Sequence, residues 1–435
     1  MTILHNNLYL TLTTRMRYLR FGTFFAGLFA ALTAIAYAVT PSDPPQPLPK
    51  GTDYYLVRDG LENCRIKFMR EKKARVVFMG GSITAMNGWC LGVQADLKSR
   101  FPETTFEFIN VGIPSLGSTP HSFRFQRDAM KNGPADLLFI EAAVNDFVNG
   151  MTPVETLRGM EGVVRQARLA NPEMDIVMLH FIDGGLMKDI IEGKVPVVIQ
   201  RHESVADYYG VPSIDLAREV TDRIQAGQFS WADDFKGTHP SAFGHAIYSR
   251  AITRLFDAIW NKPLAADAKI KTCKLPEKPL DEKSYFGGKL VPVESATLGE
   301  GWKIDPDWTP IDPPEKKIGS YKGFVHVPTL VAETPGATLR LSFEGTGVGI
   351  FVPAGPDIGI VEYSIDGGLF VEKDLWSGWS ASIHLPIAYM LNADLAPGKH
   401  EMVLRVSGKS NPKSKGTAVR IVHFLVNNPK SSAAN

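Results

Sequence analysis

Cysteine is scarce in this 435-residue chain: there are three, Cys64, Cys90 and Cys273. None stands in a C-x-x-C pair, which excludes a cysteine-built zinc or redox site, and an odd number gives no disulfide framework. The thiols are expected to be buried or free, with one bridge as the alternative. Charge of either sign is not in excess. A net charge of +1 leaves no electrostatic case for nucleic acid or an anionic membrane as the main partner. Internal repeats are lacking, and beyond residue 38 no apolar run is long enough to span a bilayer. What is present is ordinary for globular protein: 44% apolar and 21% charged residues, in a chain long enough for two or three domains.

The N-terminus departs from that average. Arg15, Arg17 and Arg20 precede the uncharged run of residues 21–38, which closes on Ala36-Tyr37-Ala38. Basic, apolar, then small-x-small is the order of a secretory signal peptide, cleaved after Ala38. An uncleaved anchor is the competing reading, since the run just reaches spanning length. The expectation is a signal peptide over 1–38 and a secreted or periplasmic mature protein, free of the membrane once cleaved.

From Ala74 to about Trp260, short apolar runs alternate with amphipathic segments of helical length. The runs are 75–79, 106–111, 136–144, 175–182 and 211–216; the segments include 89–101, 154–170 and 198–210. Runs too apolar to alternate imply strands buried on both faces, and the helices between them imply parallel crossovers. This predicts an α/β domain over 52–262, a doubly wound, flavodoxin-like parallel sheet of about five strands. Residues 263–285, rich in lysine and proline, read as a linker. From Phe286 the period changes to two: Leu339, Leu341 and Phe343 share one face of a strand, and Asp366-Gly367 marks a hairpin turn. An all-β sandwich of jelly-roll type is expected over 286–428.

Four stretches stand at predicted carboxyl ends of strands, where such sheets bind ligands. Ser82 follows Gly80-Gly81, and a helix follows it, so amides at the helix start would face whatever the hydroxyl attacks. "NVGIPSLGS" (110–118) is rich in small residues, and the amide of Ser115 or Gly117 would be free to donate to an oxyanion. Asn145 in "AVND" would carry an amide donor into the crevice. His239, before a proline, would be held in an extended or turn geometry in reach of Ser82. Taken singly, each is as well explained as a turn. His245 reads as a packing or surface residue of the following helix; Glu141 and Asp183 read as structural hydrogen-bonding groups at strand ends, with lining of the crevice as the alternative; His121 and Arg124 are candidates for touching substrate.

Together, "GGSIT", "NVGIPSLGS", "AVND" and "THPSAFGH" resemble the four ordered blocks of the SGNH (GDSL-type) hydrolase family, over about residues 70–260. The resemblance implies Ser82 as nucleophile, His239 as base, and an oxyanion hole of the Ser82 amide, a second-block amide (Ser115 or Gly117) and Asn145, with no metal and no cofactor. Three positions depart from the pattern. Gly81 replaces the acidic residue before the serine. The second-block glycine falls on Ser115 by count and on Gly117 by type. Lys236 stands three before His239, where the family has the aspartate that orients the imidazole, and lysine accepts no hydrogen bond. Asp233 or Asp234, with Asp234 favoured, is the candidate substitute; a backbone carbonyl is the alternative.

Trp302, Trp308, Trp376 and Trp379 give the β-region several large aromatics, either sandwich core or sugar-stacking faces. The region looks like the β-sandwich appendages of SGNH carbohydrate esterases. The resemblance therefore implies an exported serine esterase removing O-acetyl groups from an acylated polysaccharide or oligosaccharide. A lipase, thioesterase or arylesterase of the same family is the nearest alternative, and a catalytically impaired carbohydrate-binding protein the other.

Overall fold

A computed structural model describes residues 47–51, 53–310 and 323–432; the expected signal peptide lies outside them. Ten helices and six strands build the first half: β1 (Tyr55–Leu56), α1 (Glu62–Ile66), β2 (Lys73–Met79), α2 (Ser82–Ala85), α3 (Gly88–Arg100), β3 (Thr105–Asn110), α4 (Ser118–Asp128), β4 (Leu137–Glu141), α5 (Ala143–Val148), α6 (Pro153–Ala170), β5 (Asp175–Leu179), α7 (Gly184–Ile191), α8 (Val197–Tyr209), β6 (Ser213–Ile214), α9 (Leu216–Gln225) and α10 (Ala242–Trp260).

The sheet runs β1-β6-β5-β4-β2-β3. Its five strands β2 to β6 are parallel and flavodoxin-like in order, as the apolar runs imply. Every residue of β4 and β5 is buried, because helices cover both faces. On one face Trp89, Leu97, Tyr248 and Phe256 pack from α3 and α10; on the other Met160, Val163, Val205 and Tyr209 pack from α6 and α8. The sixth strand, β1, pairs antiparallel with β6 at the edge. Two residues long, it has no periodicity for the sequence to display.

Helix α6 shows how firmly local sequence sets an element. Thr152 and Glu155 form a capping box and Pro153 takes the first helical position, which satisfies end amides that would otherwise lack partners.

Residues 262–285 are tied down along their length. Asn63 exchanges hydrogen bonds with Lys271, at 2.7 and 2.9 Å, and the buried Glu161 carboxylate accepts from the amides of Leu280 and Asp281.

The second half is antiparallel. Its strands are β7 (Gly288–Val291), β8 (Thr297–Leu298), β9 (Lys303–Trp308), β10 (Val327–Ala332), β11 (Thr338–Gly345), β12 (Gly347–Ala354), β13 (Ile360–Ile365), β14 (Val371–Asp374), β15 (Leu385–Asn392), β16 (Gly398–Val406), β17 (Val419–Ile421) and β18 (His423–Asn427). Sheets β14-β13-β16-β11-β8 and β15-β12-β18-β7 enclose the core of a β-sandwich, with β17-β10-β9 as a third, smaller sheet. β11 buries Leu339, Leu341 and Phe343 as its period of two demands. Asp366 and Gly367 turn the β13–β14 hairpin with φ of 53° and 74°. Trp302 and Trp308 are each 7% exposed and Trp379 46%.

The halves share an apolar cluster: Ile113, Leu116 and Phe123 from the α/β half pack with Tyr285, Phe351 and Leu425. Polar contacts border it. Arg158 donates to the Ala393 carbonyl at 3.1 Å and to Asp394 at 3.0 Å.

Candidate active site

β2 is flanked by β3 and β4, so the strand order reverses there and a crevice opens beyond the carboxyl ends. Gly80 and Gly81 leave β2 at that point, and Ser82 begins α2. The turn is crowded enough to need glycine: a Cβ on Gly81 would meet Asn145 Oδ1 at 1.9 Å.

His239 Nε2 lies 2.7 Å from Ser82 Oγ. That is hydrogen-bond distance for a hydroxyl donating to a neutral imidazole. Ser82 is half-buried and His239 exposed, so the pair opens to solvent. Two left-handed residues, Lys236 (φ 74°) and Gly237 (φ 86°), turn the chain ahead of His239. The Thr238 hydroxyl donates to Asp183 Oδ2 at 2.8 Å, while Asp183 Oδ1 caps α7 through Gly185 N–H at 2.7 Å. Asp183 therefore holds the residue next to the histidine.

Neither candidate orienting aspartate reaches His239. Asp234 accepts from Ser230 N–H at 2.7 Å and Asp233 lies 3.3 Å from the Ser230 hydroxyl, both within the π-helical turn Trp231–Phe235 and its cap. Among the described residues His239 Nδ1 has no hydrogen-bond partner. His245 is packed inward: its Nδ1 accepts from Trp89 N–H at 3.2 Å, and burial, with the His239 imidazole nearby, lowers its pKa to about 4.

Four donors stand near the serine turn without an acceptor among the described residues: the Asn145 side-chain amide and the backbone amides of Ser82, Ser115 and Gly117. Asn145 lies in the first turn of α5, 7% exposed, its carbonyl oxygen against Gly81. Ser115 takes a left-handed φ of 67°, and its hydroxyl faces two carbonyls, Pro114 at 2.6 Å and Pro386 of β15 at 2.8 Å. Gly117 lies against the α5 turn; a Cβ there would meet Asp146 Oδ1 at 2.1 Å. Asp146 Oδ1 accepts from Ser118 N–H at 2.8 Å, and Oδ2 lies 3.0 Å from His202 Nε2. A cleft of about 100 Å³ opens behind this loop, lined among others by Gly117, Asn149, Lys373 and Tyr389.

His121 and Arg124, candidates for touching substrate, are instead fully buried. Arg124 donates to Asp128 and to the Val111 carbonyl, and His121 lies against it. Amphipathic spacing in α4 does not show which polar residues turn inward. All three cysteines are free thiols, Cys64 and Cys90 buried.

A serine at a strand's carboxyl end and, in hydrogen-bond contact with it, a histidine from the loop before α10, on a doubly wound sheet, define a hydrolase architecture. Residues 78–247 match the sequence model of the GDSL-like lipase/acylhydrolase family, so the chain carries a domain of that family and is a carboxylic ester hydrolase. None of the curated proteins compared matches the chain. Among solved structures it is similar to a two-domain esterase (CEX) active on acetylated mannans, crystallised with mannopentaose: 18% identity, TM-score 0.69, over 86% of this chain and 97% of that one. A second structure of that esterase gives TM-score 0.68 at 18% identity, over 86% and 98%. The acetylxylan esterase Axe2 from Geobacillus stearothermophilus is matched at 18% identity over 42% of this chain and 93% of that one, with TM-score 0.33.

Proposed function

We propose that the protein is an exported serine esterase that removes O-acetyl groups from a polysaccharide or oligosaccharide. The observation that carries the reading is the 2.7 Å contact of His239 Nε2 with Ser82 Oγ. His239 takes the hydroxyl proton as Oγ attacks the ester carbonyl. The tetrahedral oxyanion is held by the amides of Ser82 and Gly117 and by the Asn145 side chain. Gly117 is preferred to Ser115 because it abuts the α5 turn that carries Asn145. The intermediate collapses, the sugar hydroxyl leaves with the proton from His239, and water repeats the sequence on the acyl-enzyme.

Asp234 is tied within its own turn, which favours a Ser-His dyad, with Asp183 steadying the base loop through Thr238. The substrate class is supported by the exposed dyad, accessible to an ester carried on a polymer, and by the shared two-domain fold with an esterase active on acetylated mannans. Export rests on the basic, apolar, small-x-small order of residues 1–38; among the described residues no helix is long and apolar enough to cross a membrane.

The test compares p-nitrophenyl acetate with p-nitrophenyl palmitate, for the wild type and Ser82→Ala. Acetate turnover is expected, with a loss on the order of 10³-fold or more in the alanine variant. Turnover that survives the change removes Ser82 as nucleophile; preference for palmitate replaces the acetyl reading with a lipase. Acetate release from acetylated mannan and acetylated xylan then ranks the polymers.

A further inference from the structure

Glu141, the last residue of β4, is 1% exposed. Its Oε1 accepts from Gly81 N–H at 2.6 Å and from the Thr84 hydroxyl at 2.9 Å. One carboxylate oxygen therefore ties the residue before Ser82 to the residue two after it. The fit is close, since a Cβ on Gly80 would meet the same oxygen at 2.2 Å. The other residues of β4 are apolar, and a leucine would sit in this layer at no desolvation cost, whereas a buried carboxyl carries one. Burial raises its pKa to about 7, against the Gly81 and Thr84 hydrogen bonds; Asp146, Arg124, His121, Cys90 and Tyr248 are the other titratable groups around it.

We propose that Glu141 is a positioning residue for the esterase reaction, clamping the turn on both sides of Ser82 so that Oγ stays on His239 Nε2 and the Ser82 amide stays turned toward the oxyanion. It acts through Gly81 and Thr84 and touches no reacting atom. A turn released from both bonds gains freedom, and a displacement of about 1 Å is worth about 10²-fold in rate. The inference rests on Ser82 being the nucleophile.

The experiment uses the full chain with Glu141→Leu, Glu141→Gln and Thr84→Val. It reads kcat and KM on p-nitrophenyl acetate, the rate at which a fluorophosphonate labels Ser82 (located by mass spectrometry), and the thermal transition. Glu141→Leu is expected to lose about 10- to 100-fold in kcat, with KM held within about twofold, and labelling slowed by a similar factor. Glutamine keeps an oxygen facing both donors and recovers most of that loss, and Thr84→Val loses about threefold. A wild type that is neither labelled at Ser82 nor active sinks the nucleophile reading itself. A folded leucine variant labelled at the wild-type rate, or glutamine no better than leucine, overturns the clamp. If the leucine variant does not fold, Thr84→Val decides: an unchanged labelling rate overturns the proposal and a slower one sustains it.

Discussion

At the scale of single residues, two carboxylates, one ending β4 and one capping α7, hold the two loops that meet in the site. Glu141 holds the serine turn and Asp183 the histidine turn. Gly81→Ala tests how tightly the first is built. The added Cβ would lie 1.9 Å from the Asn145 side-chain oxygen and 3.4 Å from the Leu116 carbonyl, so the buried Asn145 side chain must move and carries its amide off the oxyanion. We expect kcat to fall about tenfold or more while Tm moves by only a few degrees. Thr238→Val removes the Asp183 bond beside His239 and should lower kcat several-fold with little change in KM; an unchanged kcat would mean that the loop is fixed by the rest of its turn. The serine, the asparagine and the histidine were legible in the sequence because each directly follows an apolar run or precedes a proline. What Asp183 and Glu141 bind was not. Each bonds a residue more than fifty positions away, and no local pattern records such a pairing.

At the scale of elements, sequence and structure part where one element runs into the next. The apolar run of 136–144 reads as one strand, yet β4 stops at Glu141 and α5 starts at Ala143. Alanine and valine serve either state, and only the tertiary demand that Asn145 face the serine turn breaks the run there. Asp146, one residue on, ties α5 to the first turn of α4 and to His202 of α8. Both it and His202 are fully buried. Asp146→Ala strands the Ser118 amide and the imidazole, so a loss of about 3 kcal/mol in urea unfolding of the α/β half is expected. Asp146→Asn should recover part of it, since the amide oxygen still accepts from Ser118. The long helices α3, α6 and α8 were legible to within about a residue, because inward-facing apolar residues recur along each at local spacing and α6 carries its own capping box.

At the scale of the whole molecule, pH acts through groups buried far apart. Burial raises Glu141 to about 7 and Asp175 to about 6. Both bind a proton more tightly folded than unfolded. Their share of stability is complete below about pH 4 and is lost as pH rises through 6 and 7. Glu203 and Asp357 act oppositely. Burial pushes them up, but the bonds to His180 and Arg58, and to Arg420 and His384, hold them well below the carboxylate range. Their share is present above about pH 4.5 and lost in acid. His121, His202, His245 and His423, pushed below the imidazole range mainly by burial, lose their share as pH falls below about 6.5 and so oppose the two raised carboxyls. Glu141→Gln should therefore lower Tm at pH 5 relative to pH 8 when set against the wild type; an unchanged difference would remove Glu141 from the account.

The Ser115 hydroxyl lies 2.8 Å from a carbonyl of β15, and Phe123 is covered by Tyr285. The loop beside the nucleophile is thus partly a product of the sandwich. Cutting the chain at 285 should leave Ile113 and Leu116 bare and yield a poorly soluble hydrolase half, seen as aggregation at concentrations where the full chain stays monodisperse. Modules that recombine freely in nature meet their neighbours through spare linker and indifferent surface. This one does not, so a change of sandwich would have to be matched by a change at residues 113–123.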